Sequence, residues 1–258
     1  MIAGLEIFEE HFREYPEHYV LIGGVAAMLW LEDAGLSVRA TKDFDLVILA
    51  ENLNDRFLSQ FWSFVKAGGY DNLQKSSDKR IYYRFADPAT SAYPYSLEIF
   101  ARVPERVKLW GDARIVPIPA EEDESSLSAI LMDEAYYAVV RDHTGRRGGL
   151  RLLLPEGLIL LKARAWLDMH TRKQSGQHVD DRDLKKHRTD VFRLALLLTR
   201  NRSAAIDPKV YEDLLAFLGH FPKDSTEWGA IRQASGMNNT MPPPAELHEI
   251  ITKYFRPA

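Results

Sequence analysis

The sequence predicts an α+β protein: a core domain with a mixed β-sheet and flanking helices, followed by a helical C-terminal domain. Short apolar runs with the period of strands alternate with amphipathic stretches as far as Leu154. Beyond Pro155 only the helical period recurs. A hydrophobic content of 46% over 258 residues is ample for a buried core. The domain boundary is therefore set at 1–154 and 155–258, and no internal repeat is visible.

Taken in order, Leu5–Glu14 reads as a helix, Tyr19–Ile22 as a strand and Val25–Glu32 as a helix. Asp43–Leu49 is a strand. Leu53–Ala67 has the spacing of an amphipathic helix, with Leu58, Phe61, Trp62 and Val65 inward. Further strands are expected at Arg80–Phe85, Tyr95–Ala101 and Arg114–Pro117. Ala135–Arg141 and Leu150–Leu154 form either a hairpin around a glycine- and arginine-rich turn or, for the first segment, a helix. Pro155 suits a first helical turn, and helices are expected at Glu156–Thr171, Asp181–Arg200, Pro208–His220, Ser225–Ala234 and Ala245–Phe255. Between the first two of these lies RKQSGQHVDD, polar and expected to be mobile.

With no cysteine there is no disulfide framework and no thiolate metal site, which suits a reducing compartment. The N-terminus, MIAGLEIFEEHFREYPE, is acidic where a signal peptide needs a basic start, and no run reaches the roughly 20 apolar residues of a spanning helix. A cytoplasmic location is expected, without a membrane partner. A net charge of −4 argues against a general nucleic-acid coat, and DNA is not expected as a partner. Basic residues do gather at Arg141–Arg151 and Arg182–Arg188, either as solvated surface or as local patches.

The segment YVLIGGVAAMLWLEDAGLSVRATKDFDLVILA concentrates the chemistry. Residues two apart on a strand share a face, so Asp43 and Asp45 project together while Phe44 and Leu46 turn into a core. The apolar run FDLVILA marks an interior strand, where unpaired carboxylates are costly unless a cation joins them. Hard divalent cations, magnesium above all, bind through one or two carboxylates plus substrate phosphates. Gly23 and Gly24 stand between a strand and a helix, where a missing Cβ lets backbone N–H groups approach an anion.

The line LIGGVAAML followed by RATKDFDLVI resembles the DNA polymerase β-type nucleotidyltransferase superfamily, whose signature is a strand, a Gly-Gly or Gly-Ser turn, a helix and an Asp-x-Asp strand. The form R-x-T-x-D-x-D is similar to the AbiEii-type nucleotidyltransferases, toxin halves of abortive-infection and toxin-antitoxin pairs. More residues separate Gly24 from Asp43 than in the compact superfamily pattern, so the segment Asp33–Ser37 is extended. The resemblance implies a nucleotidyltransferase core that binds ATP or another nucleoside triphosphate through Gly23, Gly24, Arg39 and Thr41, with Mg2+ or Mn2+ on Asp43 and Asp45. It also implies a third carboxylate on a later strand, which helps hold the metals or activates the attacking hydroxyl. Glu98 in YSLEIFARV is the first candidate, with Asp87, Asp112 and Glu134 as competitors.

In PEGLILLKARAWLDM, Lys162 lies within an apolar helix face, where a lysine either snorkels or holds an anion. The resemblance implies a phosphate or base contact for Lys162, with Arg164 as substitute. It also implies an acidic partner at Asp190 in DLKKHRTDVFRLALLL, although Lys186 one turn earlier could simply pair with it. His170, His178 and His187 are expected as surface histidines rather than a metal site. The activity that the resemblance implies is transfer of an NMP group from an NTP to an acceptor hydroxyl, at a tRNA 3′ end or on another RNA, by a toxin with an antitoxin protein as partner. The alternatives are transfer to a small-molecule or protein hydroxyl, and an inactive module that only binds nucleotide or antitoxin.

Overall fold

The computed structural model describes residues 2–37, 41–70, 82–101, 130–199, 201–237 and 240–258, without the side chains of residues 82, 83 and 101. The expected strand Arg114–Pro117 falls outside these residues, as do Arg39 and Asp112. The chain is α+β with a mixed sheet, and it divides into two compact units. The first comprises Met1–Leu29, Val38–Glu121 and Val140–Leu154. The second comprises Trp30–Ser37, Glu122–Val139 and Pro155–Ala258.

The first unit carries helix α1 (Leu5–Phe12), strand β1 (Tyr19–Ile22), the start of helix α2 (Gly23–Asp33), β2 (Asp43–Ile48), α3 (Asp55–Gly68), β3 (Tyr82–Ala86), β4 (Ser96–Ala101), β5 (Thr144–Arg147) and β6 (Leu150–Leu153). The strands form one sheet in the order β3-β4-β2-β1-β6-β5. β2 is interior, antiparallel to β1 on one side and parallel to β4 on the other. One sheet face is covered by aromatic side chains of α1 and α3. Phe44 projects from β2 to within 5.5 Å of the Phe8 ring, and Phe8 meets Phe64 edge-on at 5.6 Å. Offset and edge-on pairs of this kind add to plain area burial. Asn54 caps α3, its side chain accepting from the Phe57 N–H, and Gly69 closes it in the left-handed conformation.

In the second unit α4 (Glu134–Asp142), which begins there, is followed by α5 (Pro155–Gln174), α6 (Asp181–Leu194), α7 (Pro208–Gly219), α8 (Glu227–Ser235) and α9 (Pro244–Tyr254). Its core gathers around Trp166, Phe192, Phe217, Phe221 and Trp228. Asp180 and Asp207 cap α6 and α7.

Of the two readings of Ala135–Arg141 the helix is the one found, as Glu134–Asp142, and the hairpin with β6 is formed by Thr144–Arg147 instead. Apolar residues Tyr136, Tyr137, Val139 and Val140 are all buried, a helical rather than an alternating pattern. α5 runs on to Gln174, three residues into the polar segment, and α6 yields to a 3-10 turn at Ala195–Leu197 instead of reaching Arg200. A two-stranded parallel pair, β7 (Ala204–Ile206) and β8 (Phe255–Pro257), has no counterpart in the sequence reading, because three residues show no period. Among the described residues no helix is long and apolar enough to cross a membrane.

Candidate functional site

Alternation along β2 is as its sequence requires: Phe44 and Leu46 are buried, while Asp43 and Asp45 are only half-buried on the other face. Register then brings partners to each carboxylate. Asp43 lies beside Ser96 of β4, and the fully buried Ser96 hydroxyl donates to Asp43 Oδ1 at 2.7 Å. Asp45 lies beside Glu98 on one flank and Ile22 on the other. Glu98 is thus the competitor for a third carboxylate that stands next to the pair. Asp87 is exposed at the end of β3, and Glu134 belongs to the second unit.

The glycines are fitted to this face. Gly23 follows β1 directly with φ +63, a conformation that side chains disfavour, and a Cβ there would overlap Asp45 Oδ2. A Cβ on Gly24 would come 3.0 Å from Thr41 Oγ1. The strand-to-helix junction therefore presses against both the carboxylate and the threonine expected at a nucleotide site. α2 begins at Gly23 itself, two residues earlier than expected, so the glycines form its first turn. The first turn of a helix carries N–H groups without intrahelical partners and a positive dipole end.

Glu98 does not stand alone, since Arg84 Nε lies 3.5 Å from its Oε1 across the β3-β4 pair. Among the described residues no group of three or more His, Asp or Glu side chains is gathered closely enough to hold a metal ion. Two carboxylates, however, are the usual protein share of a magnesium site whose other ligands are phosphate oxygens and water. The hard oxygen donors of Asp43 and Asp45, on one face of β2, fit such an ion.

In the second unit, Lys162 and Asp190 meet as an ion pair at 2.8 Å, with side chains only 6% and 18% exposed. Burial alone would raise the Asp190 carboxyl, but the ammonium beside it wins and holds it below the ordinary carboxylate range. Asp190 thus takes a partner from α5 rather than only Lys186 of its own helix. Next to the pair, His187 departs from expectation. Its Nδ1 is buried and has no hydrogen-bond partner among the described residues, and burial, aided by Lys162 and Lys186, pushes the imidazole down to about 3. The signal was present in the sequence: His187 lies three residues before Asp190 on an amphipathic helix. His170 stacks on Trp166 with ring centres 4.7 Å apart, and His178 is exposed. Arg164 pairs with Asp213.

Much of each basic run is already engaged. Arg146 and Arg151 both pair with Glu17, and the Gly149 N–H donates to Glu9. Arg188 is buried and paired with Glu227.

Compared with protein-family models the chain matches none, and no curated protein matches it.

Proposed function

We propose that the chain is a metal-dependent nucleotidyltransferase that moves an NMP group from a nucleoside triphosphate to an acceptor hydroxyl. The observation that carries this reading is the junction at Asp45, with the Gly23 backbone pressed against its carboxylate and Glu98 beside it in register. Phosphate donors and oxygen ligands are what a triphosphate site combines.

Asp43 and Asp45 would hold magnesium or manganese, which when bound would neutralise the triphosphate and polarise the α-phosphate. N–H groups at the start of α2 cradle phosphate oxygens, and Thr41 Oγ1 adds a donor beside Gly24. The acceptor oxygen bonds to the α-phosphorus, the bond to the β-phosphate oxygen breaks, and pyrophosphate leaves. Glu98 takes the acceptor proton. Most of the acceleration comes from positioning and charge neutralisation, as in phosphoryl transfer generally. Lys162 and Asp190 are joined as an ion pair within the helical unit, where each neutralises the other.

The resemblance to AbiEii-type toxins supports an RNA acceptor, a tRNA 3′ end in particular, and an antitoxin partner. Ion pairs that tie Arg146 and Arg151 to Glu17 favour a second reading, a protein or small-molecule acceptor, because they leave less free positive charge for a phosphate backbone. Incubation with α-labelled triphosphates, magnesium, and RNA, protein and metabolite fractions tests both. Label in RNA supports the first acceptor, label confined to protein or metabolites supports the second, and label in none contradicts nucleotidyl transfer. Growth arrest on expression of the native chain but not of Asp43→Ala supports the toxin assignment, and equal growth of the two strains contradicts it.

A further inference from the structure

After the 3-10 turn at Ala195–Leu197 the chain leaves the helical conformation at Leu198 and runs on to β7, while α9 leads directly into β8. Parallel pairing of Ala204 with Phe255 ties the two ends together. Between the segment that begins at Leu198 and the face of α9 lies a cavity of about 520 Å3. Small-molecule sites have volumes of roughly 300–1,000 Å3 and combine an apolar lining with a few placed polar groups.

The lining has both parts. Leu198 and Tyr254 are buried and Ile250 is half-buried, and together they supply an apolar wall. The Tyr254 hydroxyl donates to Glu156 of α5, and burial together with that carboxylate raises the phenol to about 12. Tyr254 is therefore uncharged at neutral pH, with its hydroxyl already engaged, and its ring is what it offers the cavity.

Charge is unevenly matched among the ionic groups of the lining. Lys253 is paired with Glu249 one turn back on α9, and Glu246 is engaged as well. Arg202 forms no ion pair among the described residues. Its guanidinium lies close enough to Tyr254 to act on the phenol, opposing burial and Glu156, so its charge is directed at the cavity. The charge left over there is positive. Lys253 can add to it, because an exposed i,i+4 pair of this kind is weak. Guanidinium groups match the planar fork of a carboxylate or phosphate.

We propose that this cavity binds a small organic anion with an apolar body, a carboxylate or a phosphate monoester, with its charged group on Arg202 and its body against Leu198, Ile250 and Tyr254. The site stands apart from the nucleotidyl-transfer reading, since every residue that lines it belongs to the second unit and none is assigned to transfer.

Calorimetric titration of the full chain with octanoate, octyl phosphate, 1-octanol and inorganic phosphate tests the assignment. One equivalent of octanoate or octyl phosphate is expected to bind more tightly than octanol, which lacks the charge, and than inorganic phosphate, which lacks the body. The tighter of the two octyl anions identifies the headgroup, and either supports the proposal. Arg202→Gln is expected to weaken the octyl anions by about 10- to 100-fold, the range for loss of a hydrogen bond to a charged group, and to leave octanol unchanged. Ile250→Trp, which fills the cavity, is expected to weaken anions and octanol together. Arg202 is exposed and Ile250 half-buried, so both variants should melt close to the native temperature. A native chain that binds neither octyl anion, inorganic phosphate bound as tightly as they are, or octyl anion binding that Arg202→Gln leaves undiminished overturns the proposal.

Discussion

At Gly23 a single missing carbon decides the geometry of the site. The residue sits at φ +63, and a Cβ there would occupy the space of Asp45 Oδ2. Gly23→Ala is therefore expected to destabilise the fold by about 1–2 kcal/mol from backbone conformation alone, with a further penalty for displacing the carboxylate. Urea unfolding of Gly23→Ala, Asp45→Ala and the double variant separates the two costs. The alanine at 23 should be better tolerated once Asp45 is gone, and strict additivity would show that the two do not touch. Both residues stood out in the sequence because Gly-Gly comes after one apolar run and Asp-x-Asp opens another. Their mutual contact did not, since it depends on the antiparallel register of β1 and β2, which no local pattern specifies.

Helices α5 and α6 are joined through the Lys162–Asp190 pair, and a buried ion pair behaves asymmetrically. Removing one partner strands the other charge, so Lys162→Ala should cost about 3–5 kcal/mol. Replacing both by apolar residues of similar size, Lys162→Met with Asp190→Leu, should recover most of that loss. Denaturation midpoints decide the matter, and a mild effect of Lys162→Ala would mean that the ammonium is solvated and available to an anion. His187 adds a dependence on pH. Its folded pKa, about 3, lies below the ordinary 6.5, so between those values the unfolded chain binds a proton that the folded chain does not. Its contribution is complete above about pH 6.5 and is lost as pH falls towards 3, at up to about 1.4 kcal/mol per pH unit. Unfolding free energies at pH 7 and pH 5 should diverge less in His187→Gln than in the native chain, and an unchanged difference would exclude the buried imidazole as the cause. The helical period of α6 put His187, Asp190 and Lys186 on neighbouring positions. It could not say that Lys162, 28 residues earlier, would be the nearer partner.

Over the whole chain, what was legible came from periodicity and what was not depended on pairing. The α+β class, the interior strand β2 and the long helices after Pro155 each carry a sustained pattern over six or more residues. The short pair β7 and β8 and the true partner of β6 do not, and both are set by tertiary contacts. Ser96 went unnoticed for the same reason: it is not unusual until β4 is laid in parallel against β2. The central claim is that this register assembles a nucleotidyl-transfer site, and α-labelled triphosphate with magnesium tests it most directly in the native chain and Asp45→Asn, an isosteric change that keeps the strand and removes one ligand charge. Magnesium-dependent transfer of label by the native chain, lowered by at least about a hundredfold in a folded Asp45→Asn variant, is the result expected when an electrostatic group of this kind is lost. Equal transfer by the two proteins, or transfer by neither, would contradict it.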